Sequence, residues 1–204
     1  MKTLSVYRAE ACMALRGSWF GAALLFFVAT LIGGLFNVGL TICFGSDAVM
    51  SNATSMAGSL LFVPIAYGVC FAFLGQARQR EMQIGDLFCG YNKRVWSTMI
   101  LWYVYLILWT LLLIIPGIIK SYSYSMTCYI MADDPDISGN AAIEKSMAMM
   151  SGHKWRLFLL DLTFIGWYIL GVLCFFVGVF WAEAYRQQAR VMFYETLKQE
   201  ENEI

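Results

Sequence analysis

Residues 18–44, SWFGAALLFFVATLIGGLFNVGLTICF, contain no charged side chain, and this run constrains the fold more than any other feature of the chain. A helix packed on the surface of a soluble bundle shows a polar stripe at helical spacing. This run has none. As a helix it would extend about 40 Å at ~1.5 Å per residue, against a bilayer core of about 30 Å. A tilt or a bend at Gly33-Gly34 is therefore expected.

The rest of the chain points the same way. Hydrophobic residues make up 60% of 204 positions and charged residues 14%, against about 45–50% and 25% in soluble domains. Mean hydropathy is +0.63. Fourteen basic and fourteen acidic residues give a net charge of zero, which excludes the basic excess of a nucleic-acid binder. The six cysteines (Cys12, Cys43, Cys70, Cys89, Cys128, Cys174) form no CxxC pair and have no histidine at ligand spacing. They read as small apolar residues, with no metal and no cofactor implied. The polar stretch 1–16 and the length of the apolar run fit a retained first span rather than a cleaved signal peptide.

Further candidate spans follow. Residues 56–76 carry Pro64 at their centre, where a kink is expected, after a polar loop at 45–55. Residues 96–115 run into Pro116-Gly117, a hinge that ends or sharply bends the helix. Residues 117–132 are short and polar for a crossing, and 155–181 are apolar except for Asp161. Three amphipathic segments lie between or before them. The first covers 2–16; the second, within 76–95, has Ile84, Leu87, Phe88 and Tyr91 in helical register. The third carries Ile143, Met147 and Met150 and is closed by Gly152, with Asp136 or Ser138 as its cap.

Charge asymmetry arbitrates the topology. With crossings at 18–44, 56–76, 96–115, 117–132, 155–173 and 177–197, thirteen of the fourteen basic residues fall on one side and only Lys120 on the other. The expected fold is all-α: one domain over 1–204, a polytopic transmembrane bundle of about six segments, four long and two short or polar, with interfacial helices. Both termini would be cytoplasmic in a bacterial inner membrane. The last segment strains this reading because it contains Glu183, Arg186 and Arg190, and an Arg at the bilayer centre costs about 2.5–3.5 kcal/mol. An interfacial or cytosolic helix over 182–199 remains the alternative.

Ionisable residues in apolar surroundings are the candidate functional groups. Depth along the helices places Asp161 to pair with Arg190, and Lys120 at a depth similar to Glu183. A polar seam lined by Tyr122, Tyr124, Ser121 and Ser125 would then join segment four to the final hairpin. Such pairs serve either helix packing or a path for a polar or amphiphilic solute. The cluster His153, Lys154, Trp155 and Arg156 reads as a headgroup anchor. No nucleotide-binding, serine-hydrolase or zinc-protease motif occurs, so no catalytic residue is assigned.

WTLLLIIPGIIKSYSYSM, the MADDP stop, KSMAMMSGHKWRLFLL and FIGW together resemble the bacterial integral-membrane family known as "domain of unknown function 975". The layout is also similar to the membrane portion of some bacterial glycerophosphodiester phosphodiesterases, without their catalytic domain. The resemblance implies a membrane protein and carries no activity with it. The expected role is non-enzymatic: binding or handling a lipid or amphiphile. The alternatives are an oligomeric small-solute transporter or channel, and a scaffold or immunity-type partner. Membrane lipids, a second copy or another membrane protein are the expected partners, and nucleic acid is not.

Overall fold

The computed structural model of the chain describes the backbone of residues 3–44, 48–112, 114–173 and 177–202, with side chains except at 44–62, 111–112, 114–115 and 202. Within these residues all regular secondary structure is helical. The helices are α1 (Leu4–Ala14), α2 (Trp19–Phe44), α3 (Ala48–Ala77), α4 (Lys93–Leu112), α5 (Ile114–Ser123), α6 (Thr127–Asp133), α7 (Gly139–Met149), α8 (Lys154–Leu162), α9 (Ile165–Leu173) and α10 (Val177–Asn202). A 3₁₀ turn, Ile84–Phe88, joins α3 to α4.

The six-crossing bundle is not what forms. Among the described residues, two helical stretches are long and apolar enough to cross a membrane, Trp19–Cys43 and Lys154–Leu173. The second counts α8 and α9 together. The other expected crossings are not among them: α4, which covers most of 96–115, opens on Lys93 and Arg94, and its side chains are described only to Thr110. Residues 117–132 break into α5 and α6 at a turn over 124–126, and neither piece, of 10 and 7 residues, approaches the length of a span. α10 carries Glu183, Arg186 and Arg190 through its middle. Over its described side chains α3 offers only the shorter apolar piece Val63–Ala77, and its helix already covers 48–55, expected as loop. The multi-pass inner-membrane topology, with the side assigned to each terminus, falls with the count.

The chain turns back beside Pro116-Gly117. Pro116 is the third described residue of α5, within a first turn where a helix has no intrahelical partner for its N–H, so proline fits there. Leu113, between α4 and α5, is outside the described residues. Gly117 serves close approach instead: a Cβ there would stand 3.0 Å from the Cα of Thr110, so α5 folds directly back on α4.

Between α3 and α4 the chain turns over at Gln79, in the left-handed region at φ 64°, and within 78–92 only the 3₁₀ turn is helical. Leu87 is buried there, while Ile84, Phe88 and Tyr91 stay about half exposed. Two glycines press this turn onto α3. A side chain on Gly68 would strike the carbonyls of Leu87 and Asp86, and one on Gly90 would strike the Pro64 carbonyl. α7 follows its sequence signals: the Ser138 hydroxyl accepts from the Ala141 N–H as the cap, and Gly152 adopts φ 78° beyond the end. α1 buries Tyr7, Ala11 and Leu15, a stripe at i, i+4 and i+8, and leaves Met13 in the open.

α10 is the hub. It packs against α1, α2, α3, α7, α8 and α9, and buries Ala184, Ala189, Val191, Phe193, Tyr194 and Leu197. Tyr7 rests on Phe193 with ring centroids 5.3 Å apart.

Candidate functional site

α10 presents its polar residues at helical spacing, Glu183, Arg186, Gln187, Arg190, Tyr194 and Lys198, so they line one stripe. Each meets a partner on a neighbouring helix or a turn away on its own. Arg190 grips Asp161 of α8 with two donors, Nε to Oδ1 at 2.9 Å and Nη2 to Oδ2 at 2.5 Å. This planar two-point pairing is the geometry a guanidinium makes best with a carboxylate. The Tyr122 hydroxyl of α5 donates to the same Oδ2 at 3.3 Å. Arg186 lies 4.0 Å from Asp161 and is held by Glu183, which also accepts from the Tyr168 hydroxyl of α9.

Further along, Gln187 donates to the Tyr129 hydroxyl at 2.8 Å and reaches Cys70 at 3.5 Å. Tyr129 stacks on Tyr194, centroids 5.3 Å apart. Tyr194 donates to Asp133 at 2.8 Å and Lys198 to the same oxygen at 2.5 Å, while Arg78 stands 2.6 Å from the other carboxylate oxygen. Arg78 continues to Glu195 at 2.8 Å. Burial pushes the Asp133 carboxyl up, but the interactions with Arg78, Lys198 and Tyr194 outweigh it and hold the group below the ordinary carboxylate range. Burial and the neighbouring carboxylate push the Tyr194 phenol up.

The residues expected to form the seam thus divide. Asp161, Arg190, Arg186, Glu183 and Tyr122 come together. Lys120 does not reach Glu183; its ammonium sits over the Trp109 ring, 4.7 Å from the centroid. Tyr124 is buried beside Tyr105, at 6.5 Å. The hydroxyls of Ser121 and Ser125 turn back to their own helix, bonding the carbonyls of Ile118 and Tyr122. Of the anchor cluster, His153 precedes α8 and lines a cavity with Ser151, Glu200 and Glu201. Lys154 opens α8, and Trp155, 67% exposed and stacked on Phe158, projects outward beside the exposed Arg156. The Asp133 cluster was not foreseen: Asp133-Asp134-Pro135 reads in sequence as a helix stop, and its basic partners are remote in the chain.

The cavities lie elsewhere. One of about 490 Å³, between α1, the start of α2 and the α9–α10 hairpin, is walled by Trp19, Trp167, Leu170, Trp181 and Tyr185. Trp181 is shared with a second of about 190 Å³ that includes Phe20 and Phe27. Phe27 and Phe180 then open a third of about 330 Å³ along Leu31, Leu35 and Val38. The shared walls make a groove that follows the outer face of α2. At its α1 end, Arg8 lies one turn before Cys12, which lines the first cavity. Its guanidinium sits 5.9 Å from the Phe164 ring, and its Nε is buried without a hydrogen-bond partner among the described residues.

Fold and site together define an all-α protein with a charge-paired polar stripe inside and, among the described residues, two helical stretches apolar enough to cross a membrane. The chain belongs to the family described as protein of unknown function (DUF975), whose model matches residues 95–201, about half its length. That match takes in α5 to α9, almost all of α4 and α10, and therefore most of the stripe. Neither a curated protein nor a solved structure matches the chain.

Proposed function

We propose that this protein is membrane-associated through α2 and the 154–173 stretch, and that it acts by binding an anionic amphiphile rather than by catalysis. The acyl chain would lie in the aromatic groove between α2 and the α9–α10 hairpin. The observation that carries this reading is the groove itself. Three connected cavities with almost wholly apolar walls follow a helix whose large side chains face outward, among them Phe20, Leu31, Leu35 and Ile42. Only 17% of the apolar window in Trp19–Cys43 and 22% of that in Lys154–Leu173 is buried, whereas the core helix of a soluble protein would be mostly buried. Each methylene leaving water for the groove contributes about 0.8 kcal/mol. Arg8, one turn before the cavity-lining Cys12 and with an Nε that has no hydrogen-bond partner among the described residues, would supply the charge that an acidic headgroup needs. The polar stripe supports a different role, fixing helix register, because its charges already compensate one another.

Native mass spectrometry of the detergent-purified protein tests the proposal, together with quenching of tryptophan fluorescence by a brominated fatty acid. Quenching is expected in the native chain, weakened by Arg8→Gln for the acid but not for the uncharged alcohol of equal length. It should be lost in Trp167→Ala/Trp181→Ala. Equal binding of acid and alcohol by the native chain, or undiminished quenching in the double variant once the signal lost with two tryptophans is corrected, would refute it.

A further inference from the structure

Remote from the groove, the α4–α5 hairpin and α7 enclose a cavity of about 270 Å³ bounded by Tyr105, Trp109, Lys120, Tyr124, Asn140 and Glu144. Lys120 enters from α5 and Glu144 from α7. They carry opposite charges onto one small space, yet among the described residues no ion pair joins them or engages either elsewhere. Opposite charges that share a cavity without closing on each other leave room for a ligand that completes both. Trp109 holds the ammonium 4.7 Å above its ring, a favourable cation–aromatic contact that keeps Lys120 on its own side.

We infer that this cavity binds a small zwitterion, an ammonium compound bearing a phosphate or carboxylate. The anionic end meets the Lys120 ammonium and the Asn140 amide, which donate to it. The cationic end meets the Glu144 carboxylate and the faces of Tyr105 and Tyr124, whose rings lie 6.5 Å apart. A simple anion would face Glu144 uncompensated, and a simple cation would face Lys120. Only a molecule of both signs satisfies the pair. A free solute and the headgroup of a zwitterionic lipid share this chemistry, and the site does not depend on the amphiphile groove.

Isothermal titration calorimetry of the full chain in nonionic detergent tests the inference, with phosphocholine, choline, inorganic phosphate and phosphoethanolamine as separate titrants. Phosphocholine or phosphoethanolamine should bind about tenfold or more tighter than choline or phosphate. Lys120→Met and Glu144→Gln should each weaken that binding about tenfold or more, and Lys120→Glu/Glu144→Lys should recover most of it. Both side chains reach solvent, and unfolding curves verify that the variants fold. Competition by phosphatidylcholine vesicles identifies the headgroup as the source, and its absence identifies a free solute. Either result supports the site. Phosphate binding as tightly as phosphocholine with Glu144→Gln silent would overturn it. So would choline binding as tightly with Lys120→Met silent, or no binding of either zwitterion at millimolar concentration.

Discussion

Asp161→Asn isolates the strongest interaction of the polar stripe. The native carboxylate accepts two hydrogen bonds from Arg190, at 2.9 and 2.5 Å, and one from Tyr122 at 3.3 Å. Its side chain is 13% exposed and that of Arg190 is 24% exposed. Asparagine keeps the shape and one acceptor but removes the charge. Arg186 retains Glu183 as a partner, whereas Arg190 is left with a positive charge largely out of water and no carboxylate. Removing one member of a buried pair costs about 3–5 kcal/mol, and the partial exposure of Arg190 places this case near 3 kcal/mol. For a chain of this size that lowers the melting midpoint by roughly 6–12 °C. Replacing both partners by leucine removes the stranded charge, so Asp161→Leu/Arg190→Leu should fall within about 1 kcal/mol of the native chain. Thermal unfolding of the native chain, Asp161→Leu, Arg190→Leu and the double leucine variant in one detergent, closed as a double-mutant cycle, gives the coupling directly. A loss below about 0.5 kcal/mol in Asp161→Asn, or leucine effects that simply add, would show that the pair does not constrain the fold.

Three further outcomes follow from the packing. Gly68→Ala drives a methyl into the carbonyls of Leu87 and Asp86, backbone atoms that cannot swing aside, and should cost about 1–3 kcal/mol or more in unfolding free energy. Gly34→Ala on α2 meets nothing within 4 Å and should gain about 0.5–1 kcal/mol; a reversed order of the two would refute this packing. Asp133, held below its ordinary range beside Arg78, Lys198, Tyr194 and Glu195, contributes stability that is present above the unfolded carboxylate value of about 3.9 and lost as pH falls through its folded value. Asp133→Asn should therefore flatten the acid limb of a stability–pH curve, and an unchanged limb would show that another group controls it. Ser138→Ala removes the cap of α7 and should cost about 1 kcal/mol, read as a lowered midpoint.

What the sequence made legible was local. The cap at Ser138, the stop at Asp133-Asp134-Pro135 and the left-handed Gly152 are decided by neighbours within one turn, and the helix of 139–149 formed as its apolar spacing indicated. The pairing of Asp161 with Arg190 was legible too, because two opposite charges in apolar surroundings have few places to go. Lys120 misled for the same reason in reverse. Its depth matched Glu183, but an aromatic face three turns back on α4 offered a nearer resting place that charge matching does not consider. The Pro116-Gly117 pair was read as a break because proline interrupts a helix interior. In the fold α5 turns back on α4 beside this pair, and the contact depends on Gly117 allowing close approach to Thr110.

One part of the failure of the six-crossing count is visible in α10. Hydropathy scores each segment as though its neighbour were lipid, and on that basis Glu183, Arg186 and Arg190 are a penalty to be tolerated. In the folded chain they engage α8 and α9, and further along the same stripe Tyr194 and Lys198 engage Asp133 at the end of α6. A helix whose charged groups find carboxylates, phenols and guanidinium groups on neighbouring helices is enclosed by protein on that side, whatever surrounds the molecule. Among the described residues the long apolar stretches with little of their length buried are α2 and 154–173. Asp161 is the exception that ties the second of them to α10. The partition follows: polar residues of α10 specify the interior, and the outward faces of α2 and α9 supply the surface and the groove on which an amphiphile would rest.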